Sequence, residues 1–165
     1  MNFLIQPASI TDKPVLRNLL ELCHHDYSEY DNADVDEHGL FGYNYLDHYW
    51  TEPGRHAFLV RVDDRLAGFV LVRDVEDQHS SITHTIAEFF VMRKYRRQGI
   101  GRQVAWSIFD RFPGDWLVSQ EEGNRPAQAF WRRVIDEYTH GNYTEETLQT
   151  EEWHGPRQRF SNLQE

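Results

Sequence analysis

The chain has one cysteine, Cys23, in 165 residues. A lone thiol excludes a disulfide framework and a thiolate zinc cluster, and fits a reducing compartment. Cys23 stands among Leu16, Leu19, Leu20 and Leu22, where a small buried hydrophobe is expected in preference to a catalytic thiol. Long apolar runs are also missing. No stretch approaches the roughly 20 apolar residues that span a bilayer, and the N-terminus lacks a basic export leader. A cytoplasmic protein without a membrane partner is the expectation. Basic charge is scarce: 17 Lys and Arg face 27 Asp and Glu, a net charge of −10. Nucleic-acid binding needs clustered positive charge over many phosphate contacts, so this balance counts against it.

Aromatic residues, by contrast, are plentiful at 14%, which separates the chain from a disordered acidic polymer and predicts a packed globule. The length suits a single domain over 1–165. Residues 3–6 read as a strand ended by Pro7. Thr11 and Asp12 offer helix caps before Pro14, and Val15, Leu16, Leu19, Leu20 and Cys23 recur at helical spacing. Residues 18–54 hold no Lys or Arg but nine acids, interleaved with Tyr27, Tyr30, Phe41, Tyr43, Tyr45, Tyr49 and Trp50. Gly39 and Gly42 break a long helix there, so short helical turns and loop are expected. A charge run alone is usually a solvated face. The interleaved rings add the reading of a wall that holds a cation against aromatic faces.

Residues 56–62 and 66–73 read as antiparallel strands about an Asp63-Asp64 turn, with a polar loop over 74–81. A third strand over 84–92 follows. Ile100, Val104, Ala105, Ile108, Phe109 and Phe112 form a 3.6-residue stripe closed by Pro113-Gly114. A strand over 116–119, a helix from about Pro126, and a closing hairpin of 143–148 with 157–160 complete a mixed α/β layer. Nine histidines lack metal-ligand spacing, so no metal is expected. His84 reads as a strand-end histidine in preference to a proton relay.

One stretch departs from the acidic background. Residues 93–102 carry five Lys or Arg and no acid. The apolar strand Glu88-Phe89-Phe90-Val91-Met92 runs through this turn into the helix starting near Ile100. Backbone N–H groups at such a helix start, with Gly99 and Gly101 admitting close approach, suit a phosphate. Arg96, Arg97 and Arg102 add charged donors. The turn lacks the Gly-Lys-Ser/Thr of a P-loop, and Val104 stands where a third glycine would complete Gly-x-Gly-x-x-Gly.

Arg96-Arg97-Gln98-Gly99-Ile100-Gly101 resembles the Arg/Gln-x-x-Gly-x-Gly/Ala signature of the GNAT superfamily of N-acetyltransferases. Asn124-Arg125-Pro126-Ala127-Gln128-Ala129-Phe130-Trp131 is similar to that family's Asn-x-x-Ala-x-x-Phe-Tyr block, and the resemblance spans roughly residues 3–135. It implies the family's α/β fold, a mixed, mainly antiparallel sheet flanked by helices with a splay near the central strand. It also implies acetyl-CoA as cosubstrate. Val91 and Met92 would hold the pantetheine arm, and the amides of Arg96, Arg97, Gln98, Gly99, Ile100, Gly101 and Arg102 the pyrophosphate. Asn124, Phe130 and Trp131 would flank the thiol.

The strand further resembles that of diamine (spermidine/spermine) acetyltransferases, in which an acid precedes Phe-Phe-Val-Met. Glu88 is thereby the candidate catalytic carboxylate, against the plainer reading of a Glu paired with a neighbouring Arg. Ala87 stands where those enzymes have a second acid. Trp131 replaces the Tyr that protonates the departing thiolate in many members, and an indole N–H is no acid at neutral pH. Tyr138 or a tyrosine of the acidic segment is the available substitute.

The expected activity is acetyl transfer from acetyl-CoA to a primary amine of a small cationic acceptor. A protein N-terminus or lysine as acceptor, and a catalytically silent acyl-CoA binding module, are the alternatives. Many members dimerise, which leaves a homodimer among the expectations.

Overall fold

The computed structural model describes residues 2–163. Strand β1 (Phe3–Pro7) leads into a 3-10 turn (Ile10–Asp12) and helix α1 (Lys13–Asp31). Ser9 opens this segment: its amide donates to Asp12 Oδ2 at 2.9 Å, satisfying a donor that a helix start leaves orphaned. Here the structure corrects the expectation of short turns after Cys23. The apolar stripe of Leu16, Leu20 and Cys23 continues to the part-buried Tyr27, and α1 runs for 19 residues despite Asp26, Glu29 and Asp31. Asn32, left-handed at φ 59, ends it by donating its amide to the Ser28 carbonyl.

After a loop comes the short α2 (His48–Thr51), then β2 (Arg55–Val62), β3 (Arg65–Glu76) and β4 (Ile82–Val91). Strand β3 runs three residues further than its sequence pattern suggests. A 3-10 turn (Arg93–Tyr95), α3 (Ile100–Arg111), β5 (Asp115–Ser119), α4 (Arg125–Thr139), β6 (Thr144–Gln149) and β7 (His154–Ser161) follow. The sheet order is β1-β2-β3-β4-β5-β7-β6. One pairing is parallel: Thr83, His84 and Thr85 of β4 face Asp115, Trp116 and Leu117 of β5. Beyond Thr85, β4 continues to Val91 with no further β5 partner among the described residues.

Contacts cluster into two compact units, the first comprising residues up to Arg73 with Ala87–Ile100, the second Asp74–Ile86 with the chain from Gly101 onward. In the first, Leu16, Leu20 and Cys23 of α1 pack on Leu59, Phe69 and Phe90 of the sheet. Gly68 permits the closest approach: a Cβ there would sit 1.9 Å from the Phe90 carbonyl oxygen. The β4 backbone at Phe90 therefore rests directly on β3.

In the second unit Phe109, Trp116 and Phe160 form an aromatic core, Phe109 lying 4.9 Å from each of the other two rings. His84 belongs to this packing. Its Nδ1 meets Asp74 Oδ1 at 2.6 Å, and its ring lies against Phe112 and Trp116.

Candidate active site

Glu88 and Phe90 share one face of β4, since alternate strand residues point the same way. Phe90 belongs to the core that α1 covers, so Glu88 also meets α1. Its Oε1 lies 3.6 Å from His24 Nε2 and its Oε2 4.0 Å from Cys23 Sγ. The Glu88 and His24 side chains are only 16% and 20% exposed. The expected alternative, an Arg partner, is not what the structure shows: among the described residues the ionic contact of Glu88 is His24.

The Glu88 carboxylate holds the His24 pKa above its ordinary value, against the opposing effect of burial. Burial, reinforced by Glu88, pushes the Cys23 thiol up and leaves it no nucleophile.

A raised imidazole pKa fixes the sign of a pH effect. The protonated His24–Glu88 pair stabilises the fold fully below the ordinary histidine pKa of about 6.5, and that contribution disappears as pH climbs through the raised folded value. Replacing His24 with Gln should therefore lower Tm more at pH 5.5 than at pH 8.5. Solvent reaches the pair, so the difference is at most about 1 kcal/mol, or roughly 2–4 °C in Tm. Thermal melts of both proteins across that range check it.

The loop between α1 and α2 folds over His24 because Glu21 grips it. Glu21 accepts from the amides of Phe41 at 2.7 Å and Gly42 at 2.9 Å. Phe41 and Tyr43 consequently place their rings 6.3 and 5.7 Å from the imidazole. Burial, with Tyr49 and Glu88 adding to it, drives the Tyr43 hydroxyl pKa well up. Tyr49 is raised by burial too, with Tyr43 and Arg55 pulling the other way.

The cation expected against these aromatic faces is in part supplied by the chain itself. Arg55 lies over the rings of Tyr45 and Tyr49, at 5.7 and 5.6 Å.

The basic turn is tied to α1 through Asp26, only 17% exposed, which accepts from Arg93 at 2.9 Å and Arg96 at 2.6 Å. Arg96 Nε also donates to the Val91 carbonyl at 2.6 Å, and its amide to the Arg93 carbonyl at 3.1 Å. Arg96 thus commits its amide and part of its guanidinium to the fold, while the side chain remains 41% exposed. The Met92 amide is similarly engaged, donating to the Ala67 carbonyl at 2.7 Å.

What remains is a run of backbone donors. Arg97 and Gly99 adopt left-handed φ of 64° and 78° around Gln98. Among the described residues, the amides of Arg97, Gln98 and Gly99 make no backbone hydrogen bond. Ile100 then begins α3, whose first N–H groups have no acceptor within the helix. Left-handed residues that turn successive amides the same way form an anion-binding concavity. These donors fit a pyrophosphate.

In the second unit, Gly101 faces Phe130, whose ring a Cβ would meet at 3.1 Å. Arg102 pairs with Glu137 at 3.3 Å. Asn124 caps α4, its side chain accepting from the Ala127 amide. Phe130 and Trp131 are in ring contact at 5.0 Å, and Trp131 is buried near Phe109. The candidate acid Tyr138 donates to Asp110 at 2.6 Å, and burial pushes its pKa up to about 12. Among the described residues, no three His, Cys, Asp or Glu gather as a metal site requires.

Sequence reasoning missed His24, Asp26 and Arg55. The missing signal for the first two was the continuation of α1 through Tyr27, whose hydroxyl donates to the Phe89 carbonyl at 2.9 Å and places this helix against β4.

The seven-stranded mixed sheet, with β4 leading through a turn into α3, matches an acyl-CoA transferase fold, and comparison with known proteins agrees. Residues 16–135 match the Acetyltransferase (GNAT) family, so this chain belongs to that family and acetyl-CoA is its acetyl donor. No curated protein matches it. Among solved structures it is similar to a PaiA N-acetyltransferase from Thermoplasma acidophilum in complex with coenzyme A (TM-score 0.66, 11% identity, 98% of this chain and 99% of that one). The ribosomal-protein-S18-alanine N-acetyltransferase from Escherichia coli is also similar (0.61, 16%, 96% and 91%). So is an aminoglycoside acetyltransferase from an uncultured soil metagenomic sample (0.63, 17%, 90% and 93%).

Proposed function

We propose that the protein is an N-acetyltransferase that moves the acetyl group of acetyl-CoA directly to a primary amine of a small acceptor, which arrives as a cation. The observation that carries this reading is the sheltered Glu88 carboxylate, held between His24 and Cys23, its ionic contact among the described residues being His24 and not an arginine. An amine of pKa about 10.4 is only ~0.04% neutral at pH 7, a handicap of about 4.6 kcal/mol before it can attack a thioester. Glu88 accepts that proton, directly or through a water. The amine nitrogen then bonds to the acetyl carbon, the carbon–sulfur bond breaks, and the sulfur leaves as thiolate, the proton still to be lost from nitrogen passing to solvent or to that thiolate.

Cys23, buried and hard to ionise, offers no route through an acetylated enzyme. The amides of Arg97, Gln98, Gly99, Ile100, Gly101 and Arg102 hold the pyrophosphate, Val91 and Met92 border the pantetheine arm, and Asn124, Phe130 and Trp131 serve the thiol end. A coenzyme A thiol of pKa near 8.5 leaves tolerably as an anion, so the absence of tyrosine at Trp131 slows the reaction without stopping it.

Release of free thiol from acetyl-CoA, measured across polyamines, aminoglycosides, amino acids and peptides, tests the reading. At least one small amine should accelerate release well above hydrolysis. Acceleration by peptides alone transfers the activity to protein termini or lysines. No acceleration by any amine, with acetyl-CoA bound, makes the protein a silent acyl-CoA binder.

A further inference from the structure

We propose that Arg55, Tyr49 and Tyr43 form an anion-recognising subsite beside Glu88, so that the acceptor is an amine whose molecule also carries a carboxylate. This deepens the acetyltransferase reading and rests on it.

Three observations converge. The Arg55 side chain is 14% exposed, yet its ion pair engages one edge of the guanidinium: Nε donates to Glu52 at 3.2 Å, and Glu52 is itself half exposed. A guanidinium carries five N–H donors in a rigid fork matched to a carboxylate. Second, Arg55 is held in place by the rings of Tyr45 and Tyr49, so the fork is pre-oriented.

Third, the Tyr49 hydroxyl is buried, the residue being 5% exposed, and makes no close hydrogen bond among the described residues, with Tyr43 and Arg55 as its polar neighbours. A buried hydroxyl rarely stays unsatisfied without a reason, and a ligand oxygen supplies one. Tyr43 stands next to it. The same two hydroxyls feel both Arg55 and Glu88, the first lowering their pKa values and the second raising them. Both stay protonated, as donors.

A bare polyamine would satisfy Glu88 and leave a second ammonium to face Arg55. An ammonium joined to a carboxylate satisfies both ends, with the phenols donating to the carboxylate. Arg55 and Tyr49 are thus specificity-determining residues, and Glu88 meets the reacting nitrogen.

The test compares matched acceptors, lysine with cadaverine and ornithine with putrescine, by thiol release in the holo reaction. For the wild-type protein, the carboxylate-bearing member of each pair should show kcat/KM on the order of tenfold higher or more. In Arg55→Lys, which keeps the charge but loses the fork, that ratio should collapse towards one through KM. Tyr49→Phe should narrow the ratio as well while raising Tm, because it deletes an unsatisfied buried hydroxyl; a merely structural Tyr49 would lower Tm. The inference is overturned if the diamines match or outpace the amino acids, or if Arg55→Lys slows both members of a pair equally. Absence of thiol release with every amine, while acetyl-CoA still binds, takes down the transferase reading and this one together.

Discussion

Gly99→Asp will raise the dissociation constant for acetyl-CoA at least about a hundredfold, roughly 3 kcal/mol, with the fold intact. Two effects add. Gly99 sits at φ 78°, where a side chain costs about 1–2 kcal/mol. The new carboxylate would also stand in the donor run opposite the pyrophosphate, where like charges 4 Å apart repel by about 1 kcal/mol in water and ~4 kcal/mol near a protein surface. Because Gly99 is exposed, the lower part of that range applies to each phosphate. Gly99→Ala isolates the backbone cost and should weaken binding no more than about tenfold. Calorimetric titration of each variant checks the pair. Equal affinity for wild type and Gly99→Asp would remove this turn from the donor site.

Glu88→Gln should lower kcat/KM for the amine by about 10²- to 10³-fold at neutral pH, within the range general bases contribute. Glutamine keeps the shape and a hydrogen-bonding oxygen but accepts no proton. The variant must therefore wait for amine that lost its proton in solution, and its rate should climb tenfold per pH unit towards the amine pKa. The wild-type profile should level off earlier, so the deficit is greatest at low pH and shrinks as pH rises. Two parallel profiles would dismiss Glu88 as the base. Acetyl-CoA affinity measured alongside separates this loss from damage to the donor site.

Much of this site was legible in the residues, and what was not has a physical cause. The apolar run from Phe89 to Met92, the glycines at 99 and 101, and the stripe of α3 are local patterns, and the elements fall where those patterns place them. The tail hairpin, polar and short, also forms as expected: Thr144 faces Arg159 and Gln149 faces His154. The acidic segment misled because its charges look alike in one dimension. Asp26 belongs to a helix and binds arginines some 70 residues away, whereas Glu21 holds two loop amides. The interleaved rings read as a wall for an incoming cation, whereas two of them, Tyr45 and Tyr49, hold the chain's own Arg55, just after the segment ends. Such long-range pairings are set by packing, and no local spacing encodes them.

The Asp26 fork bears on how the proposed donor turn would choose its ligand. By pairing with two of the turn's cations and offsetting one of their charges, it would leave more of the recognition in the proposed site to amide dipoles whose aim is fixed by Arg97 and Gly99. Mobile counterions blunt exposed charges within about 8–10 Å at cellular ionic strength, and exert far less effect on short, directed hydrogen bonds. A turn of this kind selects by the bend of its ligand. Abundant polyanions that offer only charge find it a poor landing place, so an acidic protein keeps one basic corner without its becoming a general trap for phosphate.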